Sequence, residues 1–317
     1  MKQVSVIIRT TGTTEKLVLL AKTLKSLSKQ SFKNFELIIA TETNYHAVKE
    51  LVRKYFQEYD NAIVIETNAW NRCKTTNQGL RLSKGDLIAI LDDDMILERR
   101  WLEKLVKSFN IAPKSCGCIF SNCESPWKEG AYYTHRSLAF VATLLSRLSI
   151  PSSLFPKRSK YIGGFYEAFT LPVTCAIFKR RAIFSIGPTV YDEKLREPMR
   201  SDDYDLGFRM RKKGWSILAN FNTKAFHIEN YRLKWLTKPP QHFEGLFLTE
   251  IYVYAKHLDI VGIYLLPQLL YTAIEALLWS IRTRKLKVIL RGIRGIMLGL
   301  IQGLNEYRQN KPYERNY

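Results

Sequence analysis

Short apolar, β-branched runs alternate with amphipathic stretches along the first ninety-one residues, and this alternation restricts the chain more than any other feature. VSVII (4–8) ends at the turn-forming TTGTT, after which Leu17, Leu20, Leu24 and Leu27 recur at helical spacing. FELIIA (35–40), an amphipathic stretch through Val48, Leu51, Val52 and Tyr55, AIVIE (62–66), a polar helix from about Asn71 to Leu82, and DLIAIL (86–91) repeat the pattern. Strands apolar on both faces and separated by helices must be covered on both sides, which means an α/β fold with a mostly parallel, Rossmann-like sheet. A helix near 99–109 and a strand CGCIFS (116–121) extend it.

Between about 125 and 165 the pattern becomes irregular, with an apolar helix LAFVATLLSRL (138–148), the basic PKRSK (156–160) and the pair Gly163 and Gly164. The expectation there is a lid or substrate-facing insertion. Alternation resumes at TLPVTCAIFKRRAIFSIG. DYDLGFRMRKKG (203–214) then reads as a helix with a glycine stop, followed by the strand WSILA. An α/β domain over 1–230 and a helical segment over 231–317 are expected.

In that last segment an apolar stretch, Ile260 to Ile281, is interrupted by Pro267, Gln268 and Glu275 and runs into RTRKLKVILRGIRG. Arg284, Lys287, Arg291 and Arg294 fall on one helical stripe, and Gly292, Gly295, Gly299 and Gly303 on another. A basic face, an apolar face and small residues for close helix contact predict membrane-surface helices. A span or re-entrant hairpin and a soluble packing or dimerisation element are the alternatives. The stretch has the roughly 20 residues a span needs. Its polar interruptions count against a span, and so does a positive cluster on the side away from the soluble domain.

Lys plus Arg number 49 against 29 Asp plus Glu, so the net charge of +20 calls for an anionic partner: nucleic acid, an acidic membrane surface or a phosphorylated substrate. With 46% hydrophobic and 12% aromatic residues, disorder and collagen are excluded. The first residues, MKQVSVIIRTTG, read as a strand rather than a signal peptide, and five cysteines are an odd number, so a reducing compartment is expected. Cys116, Cys118 and Cys123 lack the paired spacing of a zinc site and read as buried thiols.

The chemistry concentrates in LDDDM (91–95), three acids directly after an apolar strand, where open α/β sheets bind ligands. Carboxylates so crowded repel one another unless a cation or proton intervenes, so a hard divalent ion is a natural occupant. A solvated, helix-capping turn accounts for the same residues. SDDYDL (201–206) likewise reads as helix caps or as a general base fixed at a helix start. His227, in AFHIEN, is a structural histidine or a metal ligand.

VSVIIRTTG, FELIIATE, NQGLRLSKGDLIAILDDD, CAIFKRRAIFSIG, DDYDLGFRMRKKGW and the later His227 occur in the order and approximate spacing of family 2 glycosyltransferases. The chain resembles that family over about residues 1–230. The resemblance implies a GT-A fold and an inverting transferase that uses a nucleotide-diphospho-sugar and Mn²⁺ or Mg²⁺. By position it assigns Thr10, Thr11, Glu42, Asn77 (with Gly79 behind it), Asp92 and Asp93 to the nucleotide-sugar. Asp94, Asp92 and His227 go to the metal, and Asp203, beside Asp202, is the catalytic base. Thr41 and Thr76 stand where the family usually has aspartate and arginine, so Arg72 or Lys74 is the candidate cation for the diphosphate. The implied reaction is a single displacement in which Asp203 takes the acceptor's proton and the metal stabilises the leaving group.

The expected partners are therefore the nucleotide-sugar donor, a lipid-linked or cell-envelope glycan acceptor and an anionic membrane surface, with no nucleic acid. The expected place is the cytoplasmic face of the cell membrane, peripheral or re-entrant. Two other classes account for part of the pattern: a non-catalytic nucleic-acid or phospholipid binding protein, and another nucleotide-using α/β enzyme. The second lacks support in TTGTT, which is not a phosphate-binding G-x-x-x-x-G-K-[ST] loop.

Overall fold

Each apolar run of the N-terminal segment becomes a strand in the computed structural model, which describes residues 3–57, 61–124, 157–158, 165–168, 171, 175–228 and 236–310. Strand β1 (Val4–Thr10) leads into α1 (Thr14–Ser28), β2 (Phe35–Thr41) into α2 (Tyr45–Tyr55), β3 (Ala62–Glu66) into α3 (Arg72–Leu82), and then β4 (Leu87–Asp92). β1 pairs in parallel with β2 and β4, Ile7 lying opposite Ile38 and Ile90, and β3 adds in parallel to β2. Helix α3 approaches this sheet closely because Gly79 has no side chain: a Cβ there would lie 3.0 Å from the Ile7 Cγ2 methyl.

Beyond β4 come β5 (Met95–Leu97), α4 (Trp101–Ile111), β6 (Cys116–Glu124), β7 (Lys157–Arg158), β8 (Tyr166–Ala168), β9 (Cys175–Lys179), α5 (Arg180–Phe184), α6 (Asp202–Lys212) and β10 (Ser216–His227). Among the described residues the sheet has ten strands in the order β3-β2-β1-β4-β9-β6-β10-β8-β7, with β5 on β10. The parallel order is broken where β9 enters antiparallel between β4 and β6. CAIFK is buried on both faces, so its burial is satisfied in either direction. The β10 strand also continues past WSILA without an intervening turn, so His227 ends that strand rather than following a loop.

Of the irregular 125–165 stretch, LAFVATLLSRL and the pair Gly163 and Gly164 lie outside the described residues. Only Lys157 and Arg158 of PKRSK are described, in β7. Cys73, Cys116, Cys118 and Cys175 are buried free thiols, and burial pushes the Cys116 thiol up to about 12.

The described residues fall into two compact units, one within Met1–Pro126, Pro156–Glu193 and Arg209–Glu229, the other within Lys194–Phe208 and Asn230–Tyr317. The division falls inside α6. The second unit holds α7 (Pro240–Lys256), α8 (Leu258–Val261), a 3-10 turn (Gly262–Tyr264), α9 (Leu265–Thr283) and α10 (Lys287–Asn310). One core cluster of this unit is formed by Phe243, Phe247, Ala276, Trp279 and Val288.

The glycine stripe has a clear role inside this unit. Gly295, Gly299 and Gly303, four residues apart on α10, lie against the carbonyls of Glu244, Leu248 and Tyr252, four residues apart on α7. A Cβ on Gly303 would come within 2.5 Å of the Tyr252 oxygen, and one on Gly292 within 2.7 Å of the Ala276 Cβ. The stripe therefore brings α10 and α7 into backbone contact. Of the basic stripe, Arg291 pairs with Glu244 at 2.9 Å and Arg294 with the same carboxylate at 3.5 Å. By length and composition alone, Leu258–Thr283 and Lys287–Asn310 are apolar enough to cross a membrane.

Candidate functional site

The acidic run sits where β4 stops, at the carboxyl edge of the parallel half-sheet. Pairing then brings in the histidine. β5 follows Asp94 at once and runs antiparallel to β10, so Met95 lies opposite His227, and the Ile228 N–H donates to the Asp94 carbonyl at 3.0 Å. As a result one ligand atom each from Asp92, Asp94 and His227 lies within 4.8 Å of the others, and His227 Nε2 is 3.3 Å from Asp94 Oδ1. Two carboxylates and an imidazole are the hard-oxygen and nitrogen donors that a divalent cation such as Mn²⁺ or Mg²⁺ accepts, so the donor set fits the implied metal.

Three residues outside the expected set shape this edge. Arg9, the charged end of β1, donates through Nε and Nη2 to Asp92 Oδ1 at 3.0 and 2.8 Å. Lys16, in the first turn of α1, reaches Asp93 Oδ1 at 2.8 Å and Asp94 Oδ2 at 3.5 Å. Thr23, buried on the inner face of α1, donates to the Asp93 carbonyl at 2.8 Å and accepts from the Met95 N–H at 3.0 Å, pinning the turn. Burial raises the Asp92 carboxyl, but Arg9, His227 and Arg72 together bring it below its ordinary value. At Asp93 burial prevails over Lys16 and Thr10, and the carboxyl is lifted to about 6.

The expected nucleotide-facing residues divide. Thr10 and Glu42 meet at the ends of β1 and β2, where the Glu42 N–H donates to the Thr10 carbonyl at 3.1 Å. Glu42 is buried and accepts the Thr75 hydroxyl at 3.0 Å. Thr11 accepts the Thr43 hydroxyl on its carbonyl at 2.7 Å. Gly12 between them has φ 73°, and a Cβ there would overlap the Thr43 carbonyl, so no larger residue makes this turn. The side chain of Asn77 is engaged elsewhere: it donates to the Tyr191 carbonyl at 3.0 Å and to Glu193 at 2.9 Å, and accepts the Tyr191 N–H at 2.9 Å. It holds the loop after α5 against α3.

Asp202 and Asp203 open α6, where the helix dipole favours negative charge. Asp203 Oδ1 accepts the Tyr204 N–H at 3.0 Å, and the preceding Ser201 has φ 69°, a left-handed conformation unusual for serine. The third acid of the cluster is structural. Asp205 is fully buried and accepts from Lys256 Nζ at 2.7 Å, with His257 Nε2 2.8 Å from the same oxygen.

Next to this turn, Arg200 forms ion pairs with Glu250 and with Glu275, the latter at 2.7 Å. Gln268 donates to the second Glu250 oxygen at 2.9 Å. Nothing in the local sequence marks Arg200 or Glu250, because their partners lie fifty and more residues away.

A sheet of this order with an acidic turn at the β4 edge defines the GT-A type fold. Solved structures with that fold agree. Staphylococcus aureus TarS 1–349 in complex with UDP-GlcNAc superposes with a TM-score of 0.54 over 98% of this chain and 93% of its own, at 14% identity. TarS 1–349 alone gives 0.52 over 98% and 93%, at 15% identity.

Residues 5–186 match glycosyl transferase family 2, and the chain belongs to that family; it is a glycosyltransferase. An uncharacterized glycosyltransferase of Methanocaldococcus jannaschii, MJ1057, is 26% identical over 311 residues, covering 91% of this chain and 97% of its own. A glucosyl-dolichyl phosphate glucuronosyltransferase of Haloferax volcanii is 30% identical over 95 residues, 29% of this chain and 30% of its own.

Proposed function

We propose that the chain transfers a sugar, with inversion, from a nucleotide-diphospho-sugar to a hydroxyl of a lipid-linked or cell-envelope glycan at the cytoplasmic face of a membrane. The observation that carries the donor half is the convergence of Asp92, Asp94 and His227 at the carboxyl edge of β4 in a family 2 chain. Thr10, Thr11, Glu42, Asn77, Asp92 and Asp93 are the residues assigned to the donor, and Asp94, Asp92 and His227 those assigned to Mn²⁺ or Mg²⁺. When bound, such a cation supplies positive charge against the diphosphate. Asp203 is assigned as the base that takes the acceptor's hydroxyl proton, with Asp202 beside it, so that the oxygen attacks the anomeric carbon opposite the nucleotide. TarS, a structural neighbour, was solved with UDP-GlcNAc, which supports a nucleotide-sugar donor.

The acceptor half has separate support. One relative is named for a dolichyl-phosphate-linked substrate. Large apolar side chains on α9, on α10 and in the turn between them are exposed, among them Leu266, Leu270, Leu286, Leu290 and Met297, and Arg284 and Lys287 lie in the same segment. Apolar insertion and charge attraction together suit a peripheral or re-entrant membrane contact.

The test is a thermal-shift screen of nucleotide-diphospho-sugars with and without Mn²⁺, because a ligand of the native state raises its apparent stability. A metal-dependent shift that vanishes in a folded Asp94→Ala variant supports the donor reading, whereas full activity in Asp94→Ala sinks it. For the membrane contact, the wild type should sediment with anionic vesicles at low salt. Replacing Arg284, Lys287, Arg291 and Arg294 by Gln should release it, the more so in high salt. A wild type that stays in solution would leave the tail as a packing or dimerisation element.

A further inference from the structure

Each acid at the edge of β4 already has a cation of the protein's own. Asp92 has Arg9, while Asp93 and Asp94 share Lys16. The two arrangements differ. Arg9 lies on a strand, and both its donors bear on a single Asp92 oxygen, a rigid fork. Lys16 is a flexible stem in the first turn of α1, its side chain 17% exposed and its ammonium shared between an oxygen of Asp93 and one of Asp94. On Asp94 the other oxygen, Oδ1, faces His227 Nε2 at 3.3 Å, so the carboxylate is divided between the ammonium and the candidate metal ligands. Asp94 is wholly buried and Asp93 nearly so, which keeps water from screening the ammonium there.

We infer that Lys16 is an internal counter-ion that competes with the divalent cation for the Asp93 and Asp94 carboxylates, and so sets how tightly the site holds metal. The inference rests on the proposed metal reading of Asp92, Asp94 and His227 and adds to it a residue that the resemblance did not single out. Three adjacent carboxylates, those of Asp93 and Asp94 buried, would repel one another without cations. Arg9 and Lys16 relieve that repulsion before any metal arrives, at the cost of metal affinity. A dication drawing on Asp94 must work against a positive charge within a few ångströms. At an effective dielectric of about 20 this repulsion lowers affinity by well over tenfold if the ammonium stays, and by about tenfold once the flexible chain is allowed to swing towards solvent.

The experiment is titration of the full chain with Mn²⁺ alone, without nucleotide, followed by calorimetry or by the loss of free Mn²⁺ in electron paramagnetic resonance. Wild type is compared with Lys16→Met, Lys16→Gln and Lys16→Arg. Lys16→Met and Lys16→Gln should bind Mn²⁺ about tenfold more tightly than wild type, while Lys16→Arg, which keeps the charge, should stay near it. Gln retains a hydrogen-bond donor for the carboxylates, so it serves if Met at this position fails to fold. Equal or weaker binding in a folded neutral variant, with wild type binding normally, overturns the role of Lys16 and leaves the metal reading standing. Absence of Mn²⁺ binding in wild type and in every variant overturns the metal reading itself, and the inference with it.

Discussion

Replacing Gly299 by alanine sets two effects of opposite sign against each other. In an exposed helix interior, Gly→Ala stabilises by about 1 kcal/mol, because alanine loses less backbone entropy. At position 299 the added Cβ would lie less than 3.0 Å from the Leu248 carbonyl oxygen and 3.0 Å from the Tyr252 nitrogen. Both are backbone atoms of α7, so no side chain can rotate out of the way, and the two helices must separate. Overpacking of this kind costs about 1–3 kcal/mol, and an obstruction made of backbone puts it near the upper end. Separation also loosens the neighbouring contacts at Gly295 and Gly303, which follow the same four-residue spacing. The expected net loss is about 2 kcal/mol, which at a urea slope of about 2 kcal/mol/M lowers the midpoint by about 1 M. Gln302→Ala, on the exposed side of α10, is the control and should be neutral or slightly stabilising. A Gly299→Ala protein as stable as wild type, or more so, would show that α10 and α7 do not meet at backbone distance.

Asp203→Asn keeps the size of the side chain but removes the proposed base, so donor affinity should survive while transfer falls by about 10²-fold or more. If Asp202→Asn is the silent enzyme instead, the two roles are exchanged. Arg200→Met leaves Glu250 and Glu275 without their shared guanidinium and should cost about 3–5 kcal/mol in denaturant unfolding. Adding Glu250→Gln and Glu275→Gln should recover most of that loss, and a triple variant no better than the single one would refute the pairing as its cause. His242 is held down to about 4 by burial and then by Lys238, below its ordinary 6.5. A depressed histidine favours the unfolded state on protonation, so stability should fall as pH drops from 6.5 towards 4 and be unaffected above that window. His242→Gln should be less acid-sensitive than wild type, and equal pH profiles for the two proteins would contradict the assignment.

Local periodicity was enough for the four strands that begin the sheet and the helices between them. The apolar runs of β1, β2 and β4 are buried on both faces, β3 at the sheet edge only partly, and a run of that kind is a property of consecutive residues. The acids of LDDDM were legible for the same reason, since a charged cluster directly after such a run marks the strand end. The glycine spacing on α10 predicted a close helix contact, but its partner, α7, came only from the fold. Tertiary structure alone decided that β9 would enter antiparallel beside β4, and that β5 would carry Met95 opposite His227 and so bring the histidine to the acids. It also decided that Arg9 and Lys16 would neutralise those acids, that Asn77 would hold the Tyr191 loop, and that Asp205 would be tied to His257 rather than left among the caps. Each of these is a pairing between residues dozens of positions apart. Side-chain spacing along one segment specifies which face is buried, but not which distant segment covers that face or which charge comes to rest against it.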